Sequence, residues 1–318
     1  MRNGAHRCES AMPGVTMTVL GCGKLGTAII QGLLRSCPKA SEAAPQKYLY
    51  PISTVIAAVR SKDRLESLIK SLVAEINDHT CPLDFVIANN VEAVRRADVV
   101  FLACHPNQAT ECLGGIGMQD AISGKLVISV LGGVSVATLE QAVYSSTRRP
   151  ASGQAPCHIV QAIANTAAAR QQSVTVVAEE ETANSHEKGS LCEDVLRRLG
   201  QVSYVSPDLM PAVTALCASG TAFFTTYLDA MIQGAVSEGL GEDVATRLAA
   251  LTMAGAANAV ISGEHPAAVT SRVTTPGGVT AEGLKVLREG DLRTLTAKAI
   301  SATTRRLRLV DEKSRKQS

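Results

Sequence analysis

The 318-residue chain has no tryptophan, and aromatic residues make up only 3% of it, so its core has to be built from closely packed aliphatic side chains. It also lacks an excess of charge of one sign. Lys+Arg number 31 against Asp+Glu 29, a net charge of +2, which provides no overall basic footprint for a nucleic acid. Basic residues gather only at Arg305, Arg306, Arg308 and from Lys313 to Lys316, a pattern that reads as a solvated tail. None of the nine cysteines stands in a C-x-x-C pair or at zinc-ligand spacing from a histidine. Neither a disulfide framework nor a metal centre is therefore expected, and a reducing compartment is. The stretch up to Met17 holds no apolar run before a small-residue cleavage site and is expected to be a short leader rather than a secretory signal. Pro211 to Val236 is apolar enough to resemble a membrane span, but Asp229 and several Thr and Ser interrupt it. It is expected to be a buried helix, with no membrane partner.

What is present is enough for about two domains, with 46% hydrophobic and 19% charged residues. Strand-like runs are read at Val15–Leu20, Val55–Val59, Phe85–Ala88, Val99–Cys104, Leu126–Val130, His158–Ile163, Val174–Ala178 and Gln201–Val205. Helical patterns lie between most of them, and this alternation predicts a parallel sheet covered by helices. Beyond Pro207 the pattern is helical only: Met210–Glu238, Gly241–Ser262, Thr280–Glu289 and Asp291–Lys313. The expected organisation is a flexible leader (1–15), a dinucleotide-binding α/β domain (16–205), a helical domain (206–310) and a flexible tail (311–318).

The first strand runs directly into Gly21-Cys22-Gly23-Lys24-Leu25-Gly26 and then into a helix. In that setting the first glycine permits the tight turn, the second lets a pyrophosphate approach the backbone, and the third lets helix and strand pack together. An ordinary strand-to-helix turn is the competing reading. After the second strand, where an NAD site would carry Asp or Glu, the chain has Val59-Arg60-Ser61-Lys62. A guanidinium and a hydroxyl suit a 2′-phosphate, so NADPH is expected, with NADH tolerated; alternatively, Arg60 only opens a solvated helix.

In the helical half, Thr274-Thr275-Pro276-Gly277-Gly278-Val279-Thr280 precedes a helix. Bare backbone N–H groups at such a start suit a carboxylate, while the plainer alternative is a helix cap at Thr280. Here the chain resembles the Δ1-pyrroline-5-carboxylate reductase family, whose signature is similar to Thr275-Pro276-Gly277-Gly278-Val279-Thr280-x-x-Gly283-Leu284-x-x-Leu287. The resemblance extends over Val19–Leu34, Asp98–Pro106, Leu126–Gly133, Asn165-Thr166 and Ala212–Phe223, and so from Thr16 to about Arg308. The chain departs from the family at His105 (usually Lys), Gln161 (often Arg), Ala164 and Ala167 (usually prolines), Cys217-Ala218 (Ser-Gly) and Thr221 (Pro).

The resemblance implies a Rossmann-type doubly wound parallel sheet followed by an all-helical dimerisation domain, and NADPH-dependent reduction of a cyclic imine to L-proline. It implies a homodimer or a higher assembly of the same chain. The cofactor side would be Gly21, Cys22, Gly23, Lys24, Leu25, Gly26, Arg60, Ser61, Asn90, Ala103, Cys104, His105, Pro106 and Asn165. On the substrate side, the N–H groups of Gly278, Val279 and Thr280 would hold the carboxylate, with Gly277 in the same loop. The Thr280 hydroxyl would lie near the ring nitrogen, and Thr214, Ser219 and Thr275 would support it. No metal is required. The departures keep two alternatives in play: a catalytically lapsed NADP-binding regulatory protein, or another NADP-dependent imine or hydroxyacid reductase. A cytoplasmic location is expected, with the mitochondrion as the alternative.

Overall fold

Short β-branched runs followed by a turn and an amphipathic helix build strands that are covered on both faces. In the computed structural model, which describes residues 14–38, 48–78, 80–144, 153, 155–179 and 186–317, eight strands form one sheet in the order β3-β2-β1-β4-β5-β6-β7-β8. They are β1 (Val15–Leu20), β2 (Ile52–Val59), β3 (Leu83–Ile87), β4 (Val99–Leu102), β5 (Leu126–Ser129), β6 (His158–Ile163), β7 (Ser173–Ala178) and β8 (Gly200–Val205). β1 to β6 pair in parallel, in the doubly wound order expected of a dinucleotide-binding fold.

The last two strands refine that expectation. β7 pairs antiparallel with β6, and β8 runs parallel to β7. The physical reason is connection length. Only the turn around Thr166–Arg170 separates β6 from β7, too short for a parallel crossover, whereas α7 (His186–Arg197) carries the chain from β7 to β8.

Alternation along the strands sends side chains into two layers. Met17, Val19, Val99 and Phe101 pack with Ile29 and Leu33 of α1 (Lys24–Arg35), Leu68 and Leu72 of α2 (Lys62–Asp78) and Leu196 of α7. Leu20, Ile56, Val100 and Leu102 face the other way, onto α3 (Asn90–Arg95), α4 (Ala109–Leu113), α5 (Met118–Ile122) and α6 (Val136–Tyr144). Each fully buried aliphatic or Phe side chain contributes about 1.5–3 kcal/mol. α4 and α5, five residues each, are too short to announce themselves by periodicity.

Asp194 and Arg198, one turn apart at the end of α7, form a buried ion pair at 3.1 Å. Asp194 also accepts a hydrogen bond from the Leu49 N–H at 2.7 Å, and Arg198 donates to the Ser36 hydroxyl and the Tyr50 carbonyl. The pair fastens the segment leading into β2 to α7.

By their internal contacts, the residues from Ala218 to Thr304 form a separate helical unit, and the sheet unit takes in Cys217 and what precedes it together with Arg305 onward. The boundary was expected near Ser206; the short helix α8 (Met210–Val213) and most of the π-helical turn Thr214–Ala218 group instead with the sheet unit. The helical unit contains α9 (Gly220–Ser237), α10 (Glu242–Ile261), α11 (Pro266–Arg272), α12 (Val279–Glu289) and the first part of α13 (Leu292–Gln317). α13 continues to Gln317, so the expected flexible tail from residue 311 is helical there; no Gly or Pro interrupts it. The expected leader lies outside the described residues apart from Gly14 and Val15, the latter already in β1.

The apolar segment expected to be a buried helix is exposed within its own chain. Only Gly220 and Ile232 of α9 are buried, and Phe224, Met231, Leu248 and Leu251 each remain half or more exposed. Two stretches, Pro207–Ser237 and Glu242–Ile261, are long and apolar enough to cross a membrane.

Asp194→Ala should destabilise the fold by about 3–5 kcal/mol, because it strands a buried guanidinium. Denaturant unfolding monitored by circular dichroism checks this.

Candidate active site

The end of β1 turns sharply at Gly21, whose φ of 91° lies in the left-handed region. A Cβ there would stand 2.4 Å from the backbone N and Cα of Cys104, and one on Gly26 would stand 2.1 Å from the Gly21 carbonyl oxygen. A Cβ on Gly23, by contrast, would meet nothing within 4 Å. The first and third glycines are thus consumed by packing, and the second faces open space. Gly23 is also the N-cap of α1 and brings no side-chain cap, so the first N–H groups of that helix are left for a ligand.

That open space is a cavity of about 450 Å³. It is lined by nine of the residues read as cofactor contacts: Gly21, Cys22, Gly23, Arg60, Ser61, Asn90, Ala103, Cys104 and His105. The structure therefore gathers residues from the ends of β1, β2 and β4 and the start of α3. Lys24, Leu25 and Gly26 form the first turn of α1, and Pro106 opens a 3-10 turn capped by His105, whose Nδ1 accepts from the Asn107 N–H at 3.4 Å. These four do not line the cavity.

Asn165 does not line it either. Its Nδ2 donates to the Cys217 carbonyl at 3.0 Å, and its Oδ1 accepts from the Ala167 N–H at 3.1 Å. It ties the end of β6 to the π-helical turn.

Five lining residues, Ala58, Val59, Arg64, Gln108 and Cys112, were not expected among the cofactor contacts, and of these Arg64 carries the charge. Arg64, in the first turn of α2, donates through Nε to the Cys22 carbonyl at 2.9 Å and also reaches the Thr27 hydroxyl at 3.4 Å. It clamps the glycine turn from outside and brings a second cation beside Arg60. The signal was its place one turn beyond Ser61, whose hydroxyl accepts from the Arg64 N–H at 3.3 Å.

The thiols at this site are shifted in opposite directions. Burial pushes Cys22 up to about 12, against the pull of Arg64. Cys104 donates to Cys112, which raises Cys104 and lowers Cys112. The donor set suits a dinucleotide phosphate: two guanidiniums, a hydroxyl and a helix start beside a side-chain-free backbone.

In the helical unit, Thr275, Pro276, Gly277 and Gly278 form a tight turn with Gly277 at φ 71° and a Gly278 N–H to Thr275 carbonyl bond of 2.9 Å. This bond takes one of the three N–H groups expected to hold a carboxylate. Those of Val279 and Thr280 remain without a backbone acceptor among the described residues. α12 starts at Val279 with Gly278 as its N-cap and no side-chain cap, so Thr280 sits inside the first turn rather than capping it. Ser219 precedes α9 as its N-cap. Thr214 belongs to the sheet unit, buried, with its hydroxyl donating to the Met210 carbonyl at 2.8 Å.

Two family models match the chain. Residues 16–133 match one described as NADP oxidoreductase, coenzyme F420-dependent, and residues 207–309 match one described as pyrroline-5-carboxylate reductase dimerisation. A pyrroline-5-carboxylate reductase of Lophium arboricola is 40% identical over 296 residues, covering 91% of each chain. The chain belongs to the pyrroline-5-carboxylate reductase family. The Neurospora crassa member is 34% identical over 310 residues, again covering 91% of each chain. Among solved structures, a Plasmodium falciparum pyrroline carboxylate reductase with NADP bound matches at a TM-score of 0.74 and 19% identity, covering 94% of this chain and 99% of that one. At that identity the likeness speaks for the fold.

Arg64→Ala should weaken NADPH binding by about ten- to a hundredfold, the loss of charge-assisted hydrogen bonds. Isothermal titration calorimetry checks this.

Proposed function

We propose that this family member reduces Δ1-pyrroline-5-carboxylate to L-proline with NADPH. The observation that carries the cofactor half is the glycine-turn cavity with Arg60 and Arg64 at its rim and open space over Gly23. The substrate half is supported by the N–H groups of Val279 and Thr280, which have no backbone acceptor among the described residues and suit the one carboxylate of a small imino acid.

Bound NADPH supplies a hydride to the C=N carbon. The chain's own residues have a modest chemical task, because a protonated cyclic imine is already electrophilic and its nitrogen already carries the proton that the product amine needs. Val279 and Thr280 hold the carboxylate through their N–H groups, and the Thr280 hydroxyl orients the ring nitrogen by hydrogen bonding. A threonine hydroxyl is a poor acid, so it positions rather than protonates. Holding the reacting atoms in place supplies up to about 7–11 kcal/mol of barrier lowering. Ser219 and Thr275 act as supporting contacts.

We further propose that a second copy of this chain covers the apolar faces of α9 and α10 in a homodimer. The match of residues 207–309 to a dimerisation model and the exposure of Phe224, Met231, Leu248 and Leu251 support this reading. The cytosol is the proposed location.

Purified protein should oxidise NADPH, followed at about 340 nm, only when the imine is present, and should form L-proline; NADPH binding without turnover would favour the lapsed-enzyme alternative. Thr280→Ala should lower turnover and leave NADPH binding intact, and a variant with normal turnover would remove Thr280 from the site. Sedimentation should give a dimer or a multiple of it, and a monomer at working concentration would count against the α9 and α10 interface.

A further inference from the structure

An NAD site places a carboxylate at the end of its second strand to hold the ribose hydroxyls. Here that place is taken by Arg60, and no Asp or Glu lines the cavity. A carboxylate nevertheless reaches the same spot from the opposite rim. Glu111, on α4 next to the cavity-lining Cys112, pairs with Arg60, its Oε2 lying 2.7 Å from an Arg60 Nη atom. Both side chains are mostly exposed, at 61% and 70%, so the pair can part without unpacking the core. The other cation at the cavity, Arg64, meets only neutral oxygens: the Cys22 carbonyl and the Thr27 and Ser67 hydroxyls. Glu111 is therefore the carboxylate that neutralises a cavity cation among the described residues.

We propose that Glu111 sets the cofactor preference of this enzyme. A 2′-phosphate arriving at Arg60 meets a guanidinium already paired and a like charge beside it. A bare ribose 2′-hydroxyl meets a carboxylate able to accept its hydrogen bond. Glu111 thus discounts NADPH and favours NADH, bringing the two cofactors closer together than Arg60 alone would. This rests on the reading of the cavity as the NADP site with Arg60 at the 2′-phosphate.

The test measures dissociation constants of the whole protein for NADPH and NADH by calorimetry, at low salt and at about 0.5 M, for the natural chain, Glu111→Gln and Arg60→Asp. Glu111→Gln should tighten NADPH about three- to tenfold, the size of one or two surface-charge interactions, while NADH binding stays level or weakens. The gain should shrink at high salt, which a purely structural effect would not do. An unchanged NADPH constant, or equal shifts for both cofactors, overturns the proposal. Arg60→Asp separates the two layers of the argument. A much larger loss for NADPH than for NADH upholds the cavity assignment whatever Glu111→Gln does, and equal losses overturn that assignment and the Glu111 proposal with it.

Discussion

The backbone contact between the turn after β1 and the end of β4 is the constraint on which the rest of the site depends. It leaves no room for a Cβ at Gly21, forces that residue into a left-handed conformation and seats Cys104 against it. Because the two strand ends touch, the start of α1, the Arg60 end of β2 and the His105 turn all open onto one cavity. A wider separation would leave the same side chains around no common space. The parallel pairing of β1 with β2 and β4 places all three carboxyl ends on one edge of the sheet, which is why the cavity forms there.

Helix starts in this chain differ in how they are capped. α3 and α11 are capped by side chains, Asn89 accepting from the Glu92 N–H and His265 from the Ala267 N–H. α1 and α12 begin at Gly23 and Gly278 with no side-chain cap. A helix that starts on Gly loses only about a few tenths of a kcal/mol relative to one with a side-chain cap, and keeps its N–H groups for an anion. The helices α4, α5, α8, α9 and α10 also start without a side-chain cap, so what distinguishes α1 is the open space over Gly23 beside a cavity.

The departures from the family pattern acquire physical meaning in three dimensions. Cys217 offers its backbone carbonyl to Asn165, a bond indifferent to the side chain at that position, so a Cys in place of Ser leaves it intact. Gln161 donates to the Val134 carbonyl at 3.2 Å, a neutral bond that ties β6 to the segment after β5. His105 serves as a local cap and also lines the cavity.

Much was legible in the sequence because it is written in local terms. β1 and β6 have the bounds read from their apolar runs, and the spacing of Gly21, Gly23 and Gly26 announces a strand, a turn and a helix whatever surrounds them. The Pro276-Gly277-Gly278 turn is local in the same way. What only the tertiary structure decided depends on partners distant in the chain. Glu111 meets Arg60 across 51 positions, and Asn165 meets Cys217 across 52. The reversal of β7 and the exposed faces of α9 and α10 belong with these. Periodicity marks a residue as apolar, charged or turn-forming, but which group it touches is settled by packing, and packing is a property of the whole chain.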